Sequence, residues 1–567
     1  MRHDTNNEVD QPKKRRLWPP RRIFVTLASL GTAVVLVRFN ILQMIIGPVV
    51  DQAVQNIISL ILCFSGLMSL LVWFLRESDH TRRLKRNVAG AIVIAIIALV
   101  AVLRIERVSG DLVPEFNWRW APARDRLLKH HDVNTGMITS PWHETENDFP
   151  GFLGPSGQCS LAAPELDADW MISPPRLMWR QPIGAGWSGF ATCGDHAVTL
   201  EQRGDEEVIA CYDILSGATE WIVAVPARHE TILGGVGPRS TPTLRDGVVF
   251  ATGATGWLHA IDGESGKVLW RKNVLDDLGI DQKQHAMSVA WGRAGSPLVT
   301  DELVIVPAGG PLQKPTSEEP EYVSLVAYER ATGQQRWLAG DEQIAFATPI
   351  LTSFGDVTQV VNVNEAHVAA YDPADGAQLW QIVWPGHSNS DASCSQVVPL
   401  KDEKFFISKG YGVGAAVFQI RAPSSDPSLP QVWNVEPVWQ QSTLLKTKFT
   451  NVVVYEGFVY GLSDGILECV DIVDGTRAWK RGRYGQGQVL RVGSLLLVQA
   501  ESGDVCLVEA SPKAHREIAR LDAISGQTWN NPCLSGNRLL VRNAEEAACY
   551  ELPVVQASSE EAVEEER

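Results

Sequence analysis

Arg203, Arg239, Arg293 and Lys448 are the residues of this chain best placed to recognise a ligand. Each lies in a short polar cluster (199–203, 237–241, 291–293 and 446–451) of a chain whose formal net charge is −16. Cations gathered at one point of an acidic domain attract an anionic ligand; the competing use of such residues is to satisfy loop carbonyls and neighbouring carboxylates. Glu201, Glu365 and Asp391 are of calcium-ligand type, but no spacing sets them apart as a binding loop. His229, His285 and His387 stand in loop-like segments without a paired acid or nucleophile, which reads as surface histidine. No Ser-His-Asp set is readable, and no Gly-rich phosphate loop lies between a strand and a helix. The nine cysteines show no zinc spacing. The residues therefore point to binding, with no catalytic group and no metal assigned.

A recurring pattern supplies the elements that must position those cations. A small residue, an aromatic or β-branched residue and an acid are followed by Gly and then Trp at fixed offsets. The pattern runs from Cys211 through Gly217 to Trp221, from Ala260 through Gly266 to Trp270, and from Ala327 through Gly333 to Trp337. Two further copies run from Ala370 through Gly376 to Trp380 and from Cys469 through Gly475 to Trp479. Self-similarity at this scale marks stacked supersecondary units. Each copy reads as strand, turn, strand: the acid binds turn amides, Gly supplies positive φ, and Trp opens the returning strand against the neighbouring unit. Turn-bounded strand pairs upstream of the signatures bring each unit to four short strands, the composition of a propeller blade.

Two weaker units lack the full frame: one ends at Trp439, delayed by an insertion over 421–430, and the other runs from Val505 to Ile518. The last stretch, 538–552, supplies only inner strands, and residues 176–180, with Trp179, are available to close the ring and remove its edges. The count is eight blades, or seven if the weak unit near Ile518 merges with a neighbour. Cys211, Cys469 and Cys549 fall at equivalent strand positions and read as free core thiols; Cys159, Cys193, Cys394 and Cys533 are left open.

Ahead of the ring, residues 23–47, 56–75 and 90–105 are apolar and predict an α-helical transmembrane anchor of about three spans. Arg and Lys crowd the head and the loop at 76–86, while the loop at 48–55 has none, so the positive-inside rule puts head and second loop in the cytoplasm and the propeller outside it. The chain then divides into a basic cytoplasmic head (1–22), an anchor (23–105), a linker and lead-in (106–175), an all-β propeller (176–552) and an acidic, disordered tail (553–567). The acidic charge and 45% apolar content suit an exported globular domain and exclude nucleic-acid binding.

The five signatures resemble the repeat of the pyrroloquinoline-quinone-type (PQQ-like) β-propellers, and residues 149–155 resemble the lead-in of membrane-anchored bacterial members labelled quinoprotein or polyvinyl-alcohol dehydrogenase-like. That resemblance implies the propeller but two different uses for it, since the superfamily holds both dehydrogenases and an outer-membrane-protein assembly lipoprotein. In the enzymes, adjacent cysteines cap the quinone, a Trp floors it, and Glu, Asn and Asp fix calcium; no two cysteines here are adjacent. The expectation is a binding or assembly scaffold, multi-pass in the cytoplasmic membrane with the propeller on the periplasmic side. It has no cofactor and takes a protein partner or a small anionic ligand. The alternative is a PQQ-dependent dehydrogenase with calcium.

Overall fold

A computed structural model describes residues 16–39, 52–109, 113–128, 141–231, 234–316, 318–388, 391–423 and 432–555. Most of the basic head, the end of the first expected span, most of the insertion after Arg421 and most of the acidic tail lie outside these residues. The chain divides into two compact units, Met1–Ala121 and Pro122–Arg567.

The second unit is a β-propeller of eight sheets, each built on four antiparallel strands in sequence order, except that the last takes its outer strand from early in the chain and one carries a fifth, parallel strand. Blades 1 to 8 begin with the innermost strands Ala191–Cys193, Thr243–Arg245, Leu298–Val299, Ile350–Phe354, Val398–Leu400, Val453–Tyr455, Gln488–Val492 and Cys533–Ser535. The weak unit at 505–518 forms a blade of its own, the seventh, through Asp504–Glu509 and Glu517–Asp522. Ring closure comes from the chain's early strand Arg176–Pro182, which pairs antiparallel with Glu546–Glu551 as the outer strand of blade 8.

At six of the eight boundaries a blade tryptophan bonds across to the next blade. The five signature tryptophans are only 3 to 9% exposed. Trp221 donates its indole N–H to the Gly263 carbonyl of blade 2 at 2.7 Å, and Trp270 donates to Arg330 of blade 3 at 2.8 Å. Trp179, Trp337, Trp439 and Trp479 repeat the bond into the following blade. The signature glycine is the floor on which the preceding Trp rests. A Cβ on Gly266 would lie 2.7 Å from the Trp221 ring, and one on Gly217 2.7 Å from Trp179. The turn needs positive φ there as well, +67° at Gly266, so two requirements fall on one residue. Signature acids bind the turn, as where Asp262 accepts from the Ser265 amide at 2.9 Å. All nine cysteines are free, and Cys211, Cys469 and Cys549 are fully buried opposite a tryptophan.

The first unit contains helices α1 (Arg21–Arg38), α2 (Gln52–Arg76) and α3 (Arg82–Val102). Of these, α2 and α3 are long and apolar enough to cross a membrane. The first expected span, 23–47, corresponds to α1 as far as Arg38, with 40–47 outside the described residues. α1 lies antiparallel to α2, with Arg38 donating to Asn56 at 2.8 Å and Arg22 pairing with Glu77 at the other end. The third expected span begins and ends earlier than the apolar count suggested. Thr81 caps α3 by accepting the Leu84 amide, which draws the basic residues into the helix, and residues 103–105 belong to a strand, Leu103–Val108, paired with Pro114–Trp118.

Candidate functional site

The loops that enter the innermost strands meet around the ring axis, and their sequence repeats with the blades. Gly189, Thr241, Ser296, Thr348, Gln396, Asn451, Gln488 and Asn531 hold equivalent places, counted back from the innermost hairpins. They form part of a belt. Gly189 N–H donates to Thr241 Oγ1 at 3.1 Å, Thr241 N–H to Ser296 Oγ at 2.9 Å, and Ser296 N–H to Thr348 Oγ1 at 3.0 Å. Gln396 N–H donates to Asn451 Oδ1 at 3.3 Å, and Asn530 joins blade 8 to the Gly186 and Ser188 carbonyls. The belt satisfies backbone groups that no strand ladder reaches.

Two residues ahead of seven of the eight belt positions, the chain turns its side chain toward the axis. Trp187, Arg239, Ala294, Phe346, Cys394, Phe449 and Trp529 line a cavity of about 130 Å³, together with Trp291, Tyr411 and Phe152. The ring centroids of Trp187 and Trp529 are 4.6 Å apart, and those of Phe449 and Trp529 4.8 Å. This aromatic collar constricts the axis. Above Phe152 a second, wider space of about 670 Å³ opens between residues 144–158 and the innermost strands of blades 2 to 5.

Residues 144–161 form a strap across that mouth. Phe149 exchanges both backbone bonds with Thr192 of blade 1, partly through the threonine hydroxyl, and the Pro150 carbonyl accepts from Leu244 of blade 2. Gln396 of blade 5 donates to the Gly157 carbonyl, Ser160–Leu161 adds in parallel to the innermost strand of blade 7, and Gly536 of blade 8 donates to Asn147. The wide space is acid-lined: Glu144, Glu146, Asp148 and Asp246 border it with Arg245, which itself pairs with Asp301 and Asp246.

Of the four cations singled out from the sequence, the structure brings only Arg239 to the axial cavity. Its guanidinium donates to the Gly234 and Gly237 carbonyls, and among the described residues no carboxylate lies within ion-pair distance. Burial pushes it down to about 9, with the Glu207 carboxylate acting the other way. Arg203 is committed to Glu201 and Tyr212. Arg293 donates to the Pro307 and Ala308 carbonyls, and Lys448 lies over the Tyr411 ring at 5.9 Å. His285 is buried and His229 half-buried, so neither is a surface histidine, and burial holds both down to about 3; His387 is exposed, 3.8 Å from Glu365. The sequence reading passed over the collar aromatics, although the belt spacing contained their signal.

Two further buried clusters involve blade 1. Glu201, Arg203, Tyr212 and Arg542 form a network across the closure between blades 8 and 1, where Arg542 donates to the Leu200 and Gly184 carbonyls at 3.0 and 2.8 Å. Burial works to raise the Glu201 pKa, but Arg203 and Arg542 outweigh it and hold the carboxyl below its ordinary value. His196, Cys211 and Glu220 carry donor atoms within 4.8 Å of one another, a set of zinc-ligand type. Their separations, 2.7 Å from Nδ1 and 3.2 Å from Sγ to Glu220 Oε2, are hydrogen-bond distances. Burial opposes the imidazolium, yet Glu220 outweighs it and holds His196 above its ordinary pKa; the hydrogen-bonded cluster lies under the Trp142 ring, stacked on His196 at 4.8 Å.

Glu207, 3% exposed and accepting from the Ala254 amide and the Thr255 hydroxyl, offers a test by pH. Burial pushes its carboxyl up to about 7. The folded chain therefore holds this proton more tightly than the unfolded chain, and the associated stability, complete below the ordinary carboxylate range, is lost as pH rises toward 7. Glu207→Gln is expected to match the parent protein near pH 4 and to exceed it at pH 8 by on the order of 3 kcal/mol, read by urea unfolding at the two pH values.

A family model described as outer membrane protein assembly factor BamB matches residues 204–438. Relatives of the same description are 21% identical over 305 residues in Moranella endobia (strain PCIT), covering 52% of this chain and 67% of the relative. In Yersinia pestis the figures are 23% over 283 residues, 48% and 61%. This chain thus spans about two thirds of the length of these relatives. Among solved structures, the quinohemoprotein alcohol dehydrogenase ADHIIG from Pseudomonas putida HK5 is similar with a TM-score of 0.50 at 11% identity, covering 72% of this chain and 81% of that one; at that identity the likeness concerns the fold alone. With eight blades and the recurring Gly–Trp signature, the chain is built on the PQQ-like propeller repeat that the matched family model describes over residues 204–438.

Proposed function

We propose that this protein is a membrane-tethered docking scaffold for assembly at a membrane, with its propeller outside the cytoplasm and no resident quinone. The observation that carries the reading is the filled axis. A quinone of this type needs a stacking floor, a cap and a divalent cation near its reactive carbonyl. The collar leaves about 130 Å³, below the roughly 300 Å³ at which cofactor-sized pockets begin. The wider space presents four carboxylates against Arg245, the wrong sign for a polycarboxylate quinone. The cysteines are free and none adjoins another, so the residues present do not fit the cofactor. The matched relatives are named assembly factors, which favours a protein partner. An anionic group remains the ligand for Arg239, the cation facing the collar. Titrating the full chain with pyrroloquinoline quinone and calcium is expected to give no saturable binding; micromolar affinity with calcium-dependent dye reduction would move the protein to the enzyme class.

The tether is α2 and α3, with α1 packed against α2 as a third membrane helix. The α2–α3 loop holds Arg76, Arg82, Arg83, Lys85 and Arg86, which keeps it in the cytoplasm and sends the C-terminal end of α3 to the opposite side. A reporter active only outside the cytoplasm is expected to work when fused after Leu552 and to be silent at His80. Activity at His80 would reverse the orientation.

A further inference from the structure

The hairpin that follows α3 is built inside out for water. Leu103 pairs with Trp118 and Ile105 with Phe116 across the two strands, while Arg104 pairs with Asn117 on the other face. Cross-strand partners share a face, so one face is apolar and the other polar. The apolar one is the more exposed: Ile105 is 47%, Phe116 61% and Trp118 51% accessible, and Trp120, stacked on Trp118 at 5.4 Å, is 68%. Arg104 and Asn117 are half-buried, Asn117 binds Glu106, and Arg107 pairs with Glu115 at 2.6 Å. A two-stranded hairpin is marginal in water and needs a surface for its apolar face.

Continuity with α3 identifies that surface. Between Arg86 and Arg104 the chain carries no charge. From Val88 to Val102 the helix rises roughly 22 Å at 1.5 Å per residue, short of the roughly 30 Å hydrocarbon core. No loop intervenes, because the first strand starts at Leu103, the residue after the helix ends. Arg119 closes the junction by donating to the Val100 carbonyl at 2.9 Å and the Leu103 carbonyl at 3.3 Å, which fixes the hairpin to the helix end. Trp at such a depth prefers the headgroup boundary, where its ring is apolar and its N–H stays wet.

We propose that the Leu103–Val108/Pro114–Trp118 hairpin lies in the interfacial layer of the lipid bilayer, Phe116 and Trp118 facing the acyl boundary, and completes the short membrane helix α3. This rests on the membrane reading of α3, and the test separates the two. In a Cys63→Ser background, an environment-sensitive fluorophore is placed on full-length protein in phosphatidylcholine–phosphatidylglycerol vesicles through Leu99→Cys, Phe116→Cys or Asn117→Cys. Lipids spin-labelled near the headgroup or deep in the chain then act as quenchers. The expected result is loss of emission at 99 to the deep quencher, loss at 116 chiefly to the shallow one, and a smaller loss at 117. Quenching at 99 without quenching at 116 overturns the hairpin proposal and leaves the anchor standing. Emission at 116 that is shielded from aqueous iodide but untouched by lipid quenchers also overturns it, in favour of a protein partner. No quenching at 99 removes the anchor and the proposal with it.

Discussion

Removing the strand Arg176–Pro182 is expected to abolish cooperative folding of the propeller. The informative comparison is between fragments of the Pro122–Arg567 unit that begin at Arg176 and at Ile183. They differ by seven residues, which carry all six residue pairs that join blade 8 to its outer strand. The shorter fragment also loses Trp179, whose indole bond to Ile214 crosses to blade 1 at 2.7 Å. An open blade exposes an unpaired ladder and one apolar face. A single thermal transition by circular dichroism is expected for the longer fragment; a broad transition with association in the ultracentrifuge is expected for the shorter. Superimposable melts would mean that closure contributes little. Arg542→Ala attacks the same seam from inside by leaving Glu201 with one fewer cation, and removing one member of a buried charged network costs about 3–5 kcal/mol.

Trp221→Ala is expected to cost about 3–5 kcal/mol, the penalty for deleting a large buried aromatic, with the Gly263 carbonyl left without its donor. Gly266→Ala attacks the same contact from the other side. The new methyl group would lie 2.7 Å from the indole at a φ of +67°, so overpacking of about 1–3 kcal/mol adds to backbone strain. In the double variant the methyl has no ring to strike, and the combined loss is expected to be smaller than the sum of the two. Strict additivity in urea unfolding would refute the cross-blade contact.

The repeat was legible because its residues are constrained twice, by the turn and by the neighbour, which leaves a strict spacing. The closing strand was legible through Trp179, a blade tryptophan without a signature ahead of it. The site was less so. Basic residues in loops looked like ligands, yet Arg203 and Arg293 are taken up by Glu201 and by backbone carbonyls that folding brings within reach. Burial also decided the histidines: nothing local to His229 or His285 announces that loops from other blades will cover it. The collar escaped because its members share a place and not a residue type. Trp187, Arg239, Ala294 and Phe449 are equivalent only when counted back from the innermost hairpins. Trp142 stands outside every repeat, and its role over His196 depends on a strap whose path no periodicity encodes.

The Gly–Trp contact has a consequence for how such a ring arises. Plug and socket are written four residues apart in one unit but meet between two units. A duplicated unit is therefore complementary to its own copy from the moment of duplication, without prior co-adaptation of two surfaces. Drift becomes visible where a socket is lost. Blade 5 has no signature glycine, and the tryptophan before it, Trp380, turns its N–H to Gln359 of its own blade and stacks on Phe405 at 5.7 Å. At that boundary an aromatic of the next blade supplies the surface on which the tryptophan packs, so the seam survives without the glycine.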